Sequence, residues 1–451
     1  RHIPRWWARL SWHCYGRAWL ATKLSGVDLP NHGRKSKSGM NEFLRAASGM
    51  RDDIERFFEQ LHAMPEGPFA ETKTAGFIAE RLADVGYRVR AGLAGTGVVA
   101  DLERVGEASL DQVVCPIIPT SADPAPPENP IVSGDASAPA LLALRADMDA
   151  MLHSLDGKEV YVHSCGHDAH STMVSAAGVI LARKCPKARG RLRLVFQPAE
   201  ETGLGAERMI EAGAVEGVDA MFGIHLRPAA ECRLGQATPC LVHAGGRTLH
   251  YVVKGRPSHT GRPHLGVNAA DAVALAALAV NSVKPDPLAC ATVNVVGLGA
   301  GGPGGKPSGV IPEQGALTVN IRAESDEMAD ELRARVDAAV NAAAGSMGAD
   351  VWLEREKKMP APCYDPEMIG IARAAIVAVL GEAGVRERIT TPGSEDFHWY
   401  ARRKAGLQSA YIGLGANFVP GLHHPDAAFD RQALVYGAAI LAQAAASYFD
   451  E

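Results

Sequence analysis

Eight residues, HSCGHDAH from His163 to His170, hold three histidines, a cysteine and an aspartate. Such a run can serve as a metal site, as a thiol nucleophile with its base, or as an imidazole-rich helix end. A divalent metal of the zinc or manganese type takes nitrogen, thiolate and carboxylate donors, and a catalytic site keeps one position open for water. Cys165 and His167 flank a single glycine at the start of an expected helix, where the N-terminal dipole favours thiolate. A buried cap cysteine beside a hydrogen-bonded histidine would satisfy the same spelling.

The run GRLRLVFQPAEE ends in Glu200 and Glu201. Two adjacent carboxylates after so apolar a segment repel each other unless a cation or a proton lies between them. Consecutive residues of an extended chain point in opposite directions, which would let one acid bind metal while its neighbour faces water. A solvated acidic turn is the alternative. His225, at the end of VDAMFGIHL, is either a satisfied core histidine or a further ligand.

These residues need a scaffold that brings them to one edge. RDDIERFFEQLHAMPE and TKTAGFIAERLADVGY carry apolar residues at three-to-four spacing and predict helices. The apolar runs ALLALRADMDAM, GRLRLVFQPAEE and VDAMFGIHL predict strands, and STMVSAAGVILARK and ERMIEAGAV predict helices between them. Alternation of this kind specifies an α/β fold with a mostly parallel sheet covered on both faces. Ligands of such sheets gather at the carboxyl ends of the strands, where Asp147, Asp149, Glu200, Glu201 and His225 fall. Between residues 247 and 359 the order becomes β-α-β-β-α-β, a ferredoxin-like unit inserted into the first domain. The expected organisation is an N-terminal extension (1–40), a first part of the catalytic domain (41–246), an inserted lid and dimerisation domain (247–359) and a second catalytic part (360–451). The Gly-rich stretch from Gly297 predicts a hairpin loop; its G-x-G-x-x-G spelling does not open a helix, so it is no phosphate cradle.

The bulk composition narrows the partners. Of 451 residues, 47% are hydrophobic and 22% charged, with a net charge of −5. That balance provides no footprint for nucleic acid or an anionic membrane, so a small-molecule partner is expected. No apolar run reaches the ~18 residues of a membrane span. The eight cysteines are dispersed without close pairing, which suits a reducing cytoplasm. The first forty residues are basic and hold four of the six tryptophans; they read as a transit-like segment, an upstream reading or an added arm. Residues 103–139, rich in Pro, Ser and Ala, predict an irregular surface excursion.

Taken in order, RADMDAM, HSCGHDAHSTM, VFQPAEETGLGAERMIEAGA, GIHLRP, GRPSHTGRPHLGVNAADA, PGSEDF and LHHP resemble the amidohydrolase branch of the aminoacylase and carboxypeptidase G dinuclear metallopeptidase family. That branch includes aminobenzoyl-glutamate hydrolase, hippurate hydrolase and indole-3-acetyl-amino-acid hydrolases, and LGANFVPGLHHPDAAFD looks most like the bacterial indoleacetyl-aspartate enzymes. The resemblance implies two divalent ions, manganese or zinc, held by Cys165, His167, Glu201, His225 and a C-terminal histidine. The family's H-x-P pattern points to His423, with His424 as the alternative. It implies Glu200 as general base, Asp147 as the acid orienting a metal-bound group, and His259 as an oxyanion stabiliser reaching across a homodimer. It also implies Arg322 and Asn268 as contacts of the substrate carboxylate, and Gly393, Ser394 and Glu395 as a site-lining loop. The implied reaction is hydrolysis of an N-acyl amino acid at its amide bond. The rivals are a dipeptidase or carboxypeptidase on the same scaffold, a catalytically inactive metal-binding protein, and a thiol enzyme using Cys165 with His167 as base.

Overall fold

The computed structural model describes residues 41–102, 140–184, 190–301 and 309–450. The arm 1–40 and the excursion 103–139 lie outside the described residues. Seven strands form the larger sheet, in the order Arg88–Leu93, Gly97–Leu102, Arg191–Gln197, Leu141–Asp147, Ala220–Pro228, Gln408–Phe418, Ala237–Thr238. The four strands from Arg191–Gln197 to Gln408–Phe418 run parallel, and the outer ones join antiparallel. Leu141–Asp147 is buried at every position, as expected for a strand covered on both faces. Its carboxyl end therefore lies beside those of Arg191–Gln197 and Ala220–Pro228, on one edge of the sheet.

His167–Lys184 is the helix that follows the opening motif, and it begins at His167 itself. Gln432–Asp450 packs against it, close enough that a Cβ on Gly437 would meet Met173. The hairpin Met151–Leu155 and Lys158–Val162, which the sequence patterning did not single out, precedes the motif with Leu152 and Tyr161 exposed. Its apolar residues alternate too briefly, and too near the surface, to announce a strand pair.

The second sheet has four antiparallel strands in the order Ala291–Ala300, Gln314–Ala323, Gly245–Lys254, Asp350–Met359. Helices Ala269–Asn281 and Asp326–Ser346 pack on it, giving the expected β-α-β-β-α-β order. Alternating burial along Gly245–Lys254 and Gln314–Ala323 marks a sheet with one face packed and one face free. Side-chain caps start both helices: Asn268 accepts from Ala270 N and Ser325 from Met328 N. The strand Ala291–Ala300 takes in the first residues of the Gly-rich stretch, and residues 302–308 lie outside the described residues.

The centre strand carries one cation. Arg145 is wholly buried, and its guanidinium donates to Asp147 (2.7 Å), Asp396 (3.0 Å) and Gln197 (2.9 Å) and lies 3.1 Å from Glu395. Removing one partner of a buried ionic network leaves uncompensated charge, which typically costs about 3–5 kcal/mol. Arg145→Met is expected to destabilise the protein by about that amount, read as a lower urea midpoint at unchanged m-value.

Candidate metal centre and active site

The turn that presents the two glutamates is not extended. The strand ends at Gln197, Ala199 adopts the left-handed conformation (φ 55°), and Glu200–Thr202 forms a short 3-10 turn. The expectation that the two acids diverge because the chain is extended is therefore corrected. The turn is instead held from outside: Glu71 accepts from Ala199 N (2.9 Å), while Asp149 accepts from Glu200 N (3.0 Å) and Glu201 N (3.1 Å). Left-handed backbone at alanine costs about 1–2 kcal/mol and persists only where surroundings over-determine it. Gly205 allows the following helix to close on Pro198, whose carbonyl oxygen would collide with a Cβ there.

The five expected ligands converge. Donor atoms of Cys165, His167 and His225 lie within 4.8 Å of one another, as do those of Cys165, Glu201 and His423. The two groups share the cysteine. His225 donates from Nδ1 to the Leu226 carbonyl (2.6 Å), leaving Nε2 3.5 Å from Cys165 Sγ. His167 donates from Nδ1 to Asp149 (3.2 Å), leaving Nε2 buried without a hydrogen-bond partner among the described residues. Glu201 Oε1 is likewise buried without a hydrogen-bond partner among the described residues. His423 approaches from the C-terminal loop, its Nε2 3.5 Å from Glu201, in a left-handed conformation (φ 64°) held by a hydrogen bond from its amide to Ser164 O (2.8 Å). His424 is exposed, and its Nδ1 accepts from Asp426 N instead.

The electrostatics show what the cluster lacks. Burial, reinforced by Glu201, pushes the Cys165 thiol well above its ordinary pKa. Burial raises Glu201 to about 7, and burial with Glu395 and Glu201 raises Glu200 well above the carboxylate range. Burial disfavours charge on His167, yet Asp147 and Cys165 hold its pKa well above the usual value. Acidic donors packed at this density want positive charge among them, and orphaned Nε2 and Oε1 atoms are suited to supply lone pairs to it. The donor set, with thiolate, imidazole and carboxylate, fits divalent ions.

Glu200 and Glu201 both have a carboxylate oxygen within 4.8 Å of a His167 ring nitrogen, and their further neighbours differ. Glu201 groups with Cys165 and His423, whereas Glu200 groups with Glu395 and Asp396 and accepts from Asp396 N (3.4 Å). Asp147 faces Arg145 and His170, the latter at 2.7 Å, and comes no nearer to His167 than 3.9 Å; the carboxylate on His167 Nδ1 is that of Asp149. His170 in turn accepts from Leu226 N at Nε2, so Asp147 steadies the backbone beside His225.

A cavity of about 380 Å³ opens over this cluster, between the two sheets. Its floor holds Cys165, Glu200, Glu201, His225 and His423, and the four-stranded sheet contributes Thr248, Asn320, Arg322, Lys357 and Met359. Arg322 has no carboxylate partner among the described residues; it bonds Ser394 Oγ and Asn320 (3.2 Å), and Ser394 donates to Ala244 O. Gly393, Ser394 and Glu395 all line the cavity. Asn268 and His259 do not: the first caps its helix, and the second is exposed and accepts from Gly261 N (3.0 Å). Arg145, Asp396, His243 and Asn320 were not singled out from the chain alone. An arginine inside an otherwise apolar buried strand was the available signal for Arg145; nothing local marks His243.

An α/β unit whose cysteine, histidine and glutamate side chains converge at one edge of its parallel sheet, facing a smaller antiparallel sheet across a cavity, has the architecture of a metallohydrolase. The sequence pattern of Peptidase family M20/M25/M40 matches residues 143–447, and the chain belongs to that family. It is a hydrolase of the family's amidohydrolase branch. The chain is 27% identical over 403 residues to N-acetyl-L-cysteine deacetylase of Bacillus subtilis (86% of each chain). It is 28% identical over 411 residues to IAA-amino acid hydrolase ILR1-like 2 of Arabidopsis thaliana (87% of this chain, 84% of that one). The fold is similar to that of the dinuclear metal-binding M20 peptidase YXEP of Bacillus subtilis, with a TM-score of 0.66 at 22% identity over 89% of this chain and 99% of that one. It is also similar to aminobenzoyl-glutamate utilization protein of Klebsiella pneumoniae, with a TM-score of 0.63 at 22% identity over 90% and 99%.

Asp149 orients His167 and both glutamate amides at once. Outer partners of this kind are worth about 10–100-fold in metal affinity. Asp149→Ala is expected to weaken metal binding by about that factor, measured by chelator competition.

Proposed function

We propose that this protein hydrolyses the amide bond of N-acyl amino acids carrying a free carboxylate, with Glu200 as general base and Cys165, His167, Glu201, His225 and His423 as the ligands of two manganese or zinc ions. The observation that carries this is the convergence of cysteine, histidine and glutamate donor atoms on the cavity floor, with Glu200 beside them and tied to the Asp396 amide. Bound ions would supply Lewis-acid charge, lowering the pKa of water and polarising the amide carbonyl. Glu200 takes a proton from the attacking water; as the C–N bond breaks, it returns that proton to the leaving amine. Arg322, with Ser394 beside it, is the seat for the substrate carboxylate, since a half-buried guanidinium without an acid partner among the described residues suits a bidentate anion. The relatives named for N-acetylcysteine and indoleacetyl-amino-acid hydrolysis support this substrate class.

The domain division follows the two sheets, 41–246 with 360–451 forming the catalytic unit and 247–359 the lid. A homodimer is supported by the edges of the smaller sheet. Asp350–Met359 bears the run EREKK, a charged edge that resists pairing, whereas Ala291–Ala300 carries no charge and exposes Val296 and Leu298. Pairing of two copies there would let His259 serve the partner's cavity as oxyanion stabiliser, and Asn268 reach a carboxylate only if its helix cap opens. The dispersed cysteines, free among the described residues, suit a cytoplasmic location.

Glu200→Gln is expected to retain metal while kcat falls by about 10²–10⁴-fold. Chelation should abolish turnover and readdition of manganese or zinc restore it; activity that survives chelation would point to the Cys165 thiol instead. A panel of N-acyl amino acids against dipeptides identifies the substrate class. Val296→Lys with Leu298→Lys is expected to yield a monomer by sedimentation velocity, with activity lost alongside the dimer.

A further inference from the structure

Between the metal donors and the Arg322–Ser394 pair, the cavity wall is formed by His243. Its ring centroid lies 6.2 Å from that of His225, and its Cδ2 lies 4.0 Å from where a Cβ on Gly393 would stand. The residue is 2% exposed, and Nδ1 has no hydrogen-bond partner among the described residues. Behind it, 5.4 Å between centroids, His398 is equally buried, with neither nitrogen partnered among those residues. Tyr411 closes the other side at 5.5 Å. Burial with His398 and Arg227 holds His243 well below the ordinary imidazole pKa, so the ring is neutral, with one N–H to donate and one lone pair. A buried polar ring left unpaired is costly, and a wall of a binding cavity is where a ligand can supply the missing partner.

A substrate with its amide at the Cys165–His225 donors and its carboxylate at Arg322 places the α-carbon of its leaving residue between them, beside His243, Thr391 and Gly393. We propose that His243 is a specificity-determining residue that hydrogen-bonds the side chain of the leaving amino acid, so that N-acyl amino acids whose side chain ends in a carboxylate or carboxamide are preferred over aliphatic ones. This rests on the amidohydrolase function proposed above. His398 is a positioning residue, fixing the His243 ring through packing.

The test uses the metal-loaded full chain, one acyl group, and its conjugates with aspartate, asparagine and alanine. The wild type is expected to favour aspartate or asparagine over alanine, and His243→Leu to lower that kcat/KM ratio about ten- to hundredfold, the loss that follows when one buried hydrogen bond is removed. His243→Asn should recover part of the ratio. Calorimetric binding of free L-aspartate, L-asparagine and L-alanine should show the same ordering without turnover. A loss confined to aspartate assigns a carboxylate ligand, and one confined to asparagine a carboxamide; either supports the proposal. A ratio unchanged in His243→Leu, with turnover present, overturns the role of His243 alone. Absence of metal-dependent turnover on every conjugate overturns the amidohydrolase function and this proposal with it.

Discussion

The arrangement of the site depends on one buried guanidinium set among three carboxylates. Arg145 bonds Asp147 on its own strand, Gln197 on the next, and Asp396 in the loop before helix His398–Arg403, with Glu395 at 3.1 Å. Each contact continues toward a donor. Asp147 holds His170, which holds Leu226 beside His225; Asp396 accepts from Ala206 N and Gln197 and donates its own amide to Glu200. Such a network is a poor source of stability, because desolvation offsets most of the Coulombic gain. What it supplies is placement. It also leaves the region short of positive charge, and burial with Glu395 lifts Asp396 to about 8 even against Arg145.

Strain is concentrated where the donors are presented. Ala199 and His423 are both left-handed non-glycine residues; the first stands two residues before Glu201 and the second lies 3.5 Å from it. Neither conformation is favourable by itself, and each is imposed by a distant partner: Glu71 and Asp149 at the first, Ser164 at the second. The cost is local, while the restraint comes from packing that was needed in any case to bury Glu71 and the helix His167–Lys184.

The two sheets divide the labour across the cavity. The parallel sheet contributes the acidic and imidazole donors, and the smaller sheet contributes cations, Arg322 and Lys357 among them. Met359 and Lys357 also touch the turn after the glutamates, where a Cβ on Gly203 would collide with Met359 Sδ at 2.6 Å. An anion entering the cavity would find Arg322 and Lys357 on one wall and the cysteine, histidine and glutamate cluster on the other.

Sequence by itself determined the layer architecture and the donor chemistry. Buried apolar runs alternating with amphipathic helices specify a parallel sheet, and Cys165, His167, Glu200 and Glu201 each fall where such a strand or helix meets an end, whereas the strand expected to end at His225 runs on to Pro228. Those are local properties, carried by spacing and residue type. The nearness of His423, and not His424, to Cys165 and Glu201, the hydrogen bond of His167 to Asp149 and not Asp147, the 3-10 turn at Glu200, and the presence of His243 in the cavity come from tertiary contacts. Each depends on contacts between segments far apart in the chain, such as Ser164 with His423 or Asp149 with the amides of Glu200 and Glu201. Periodicity reports which face a residue occupies; it carries no information about which distant backbone that face will meet.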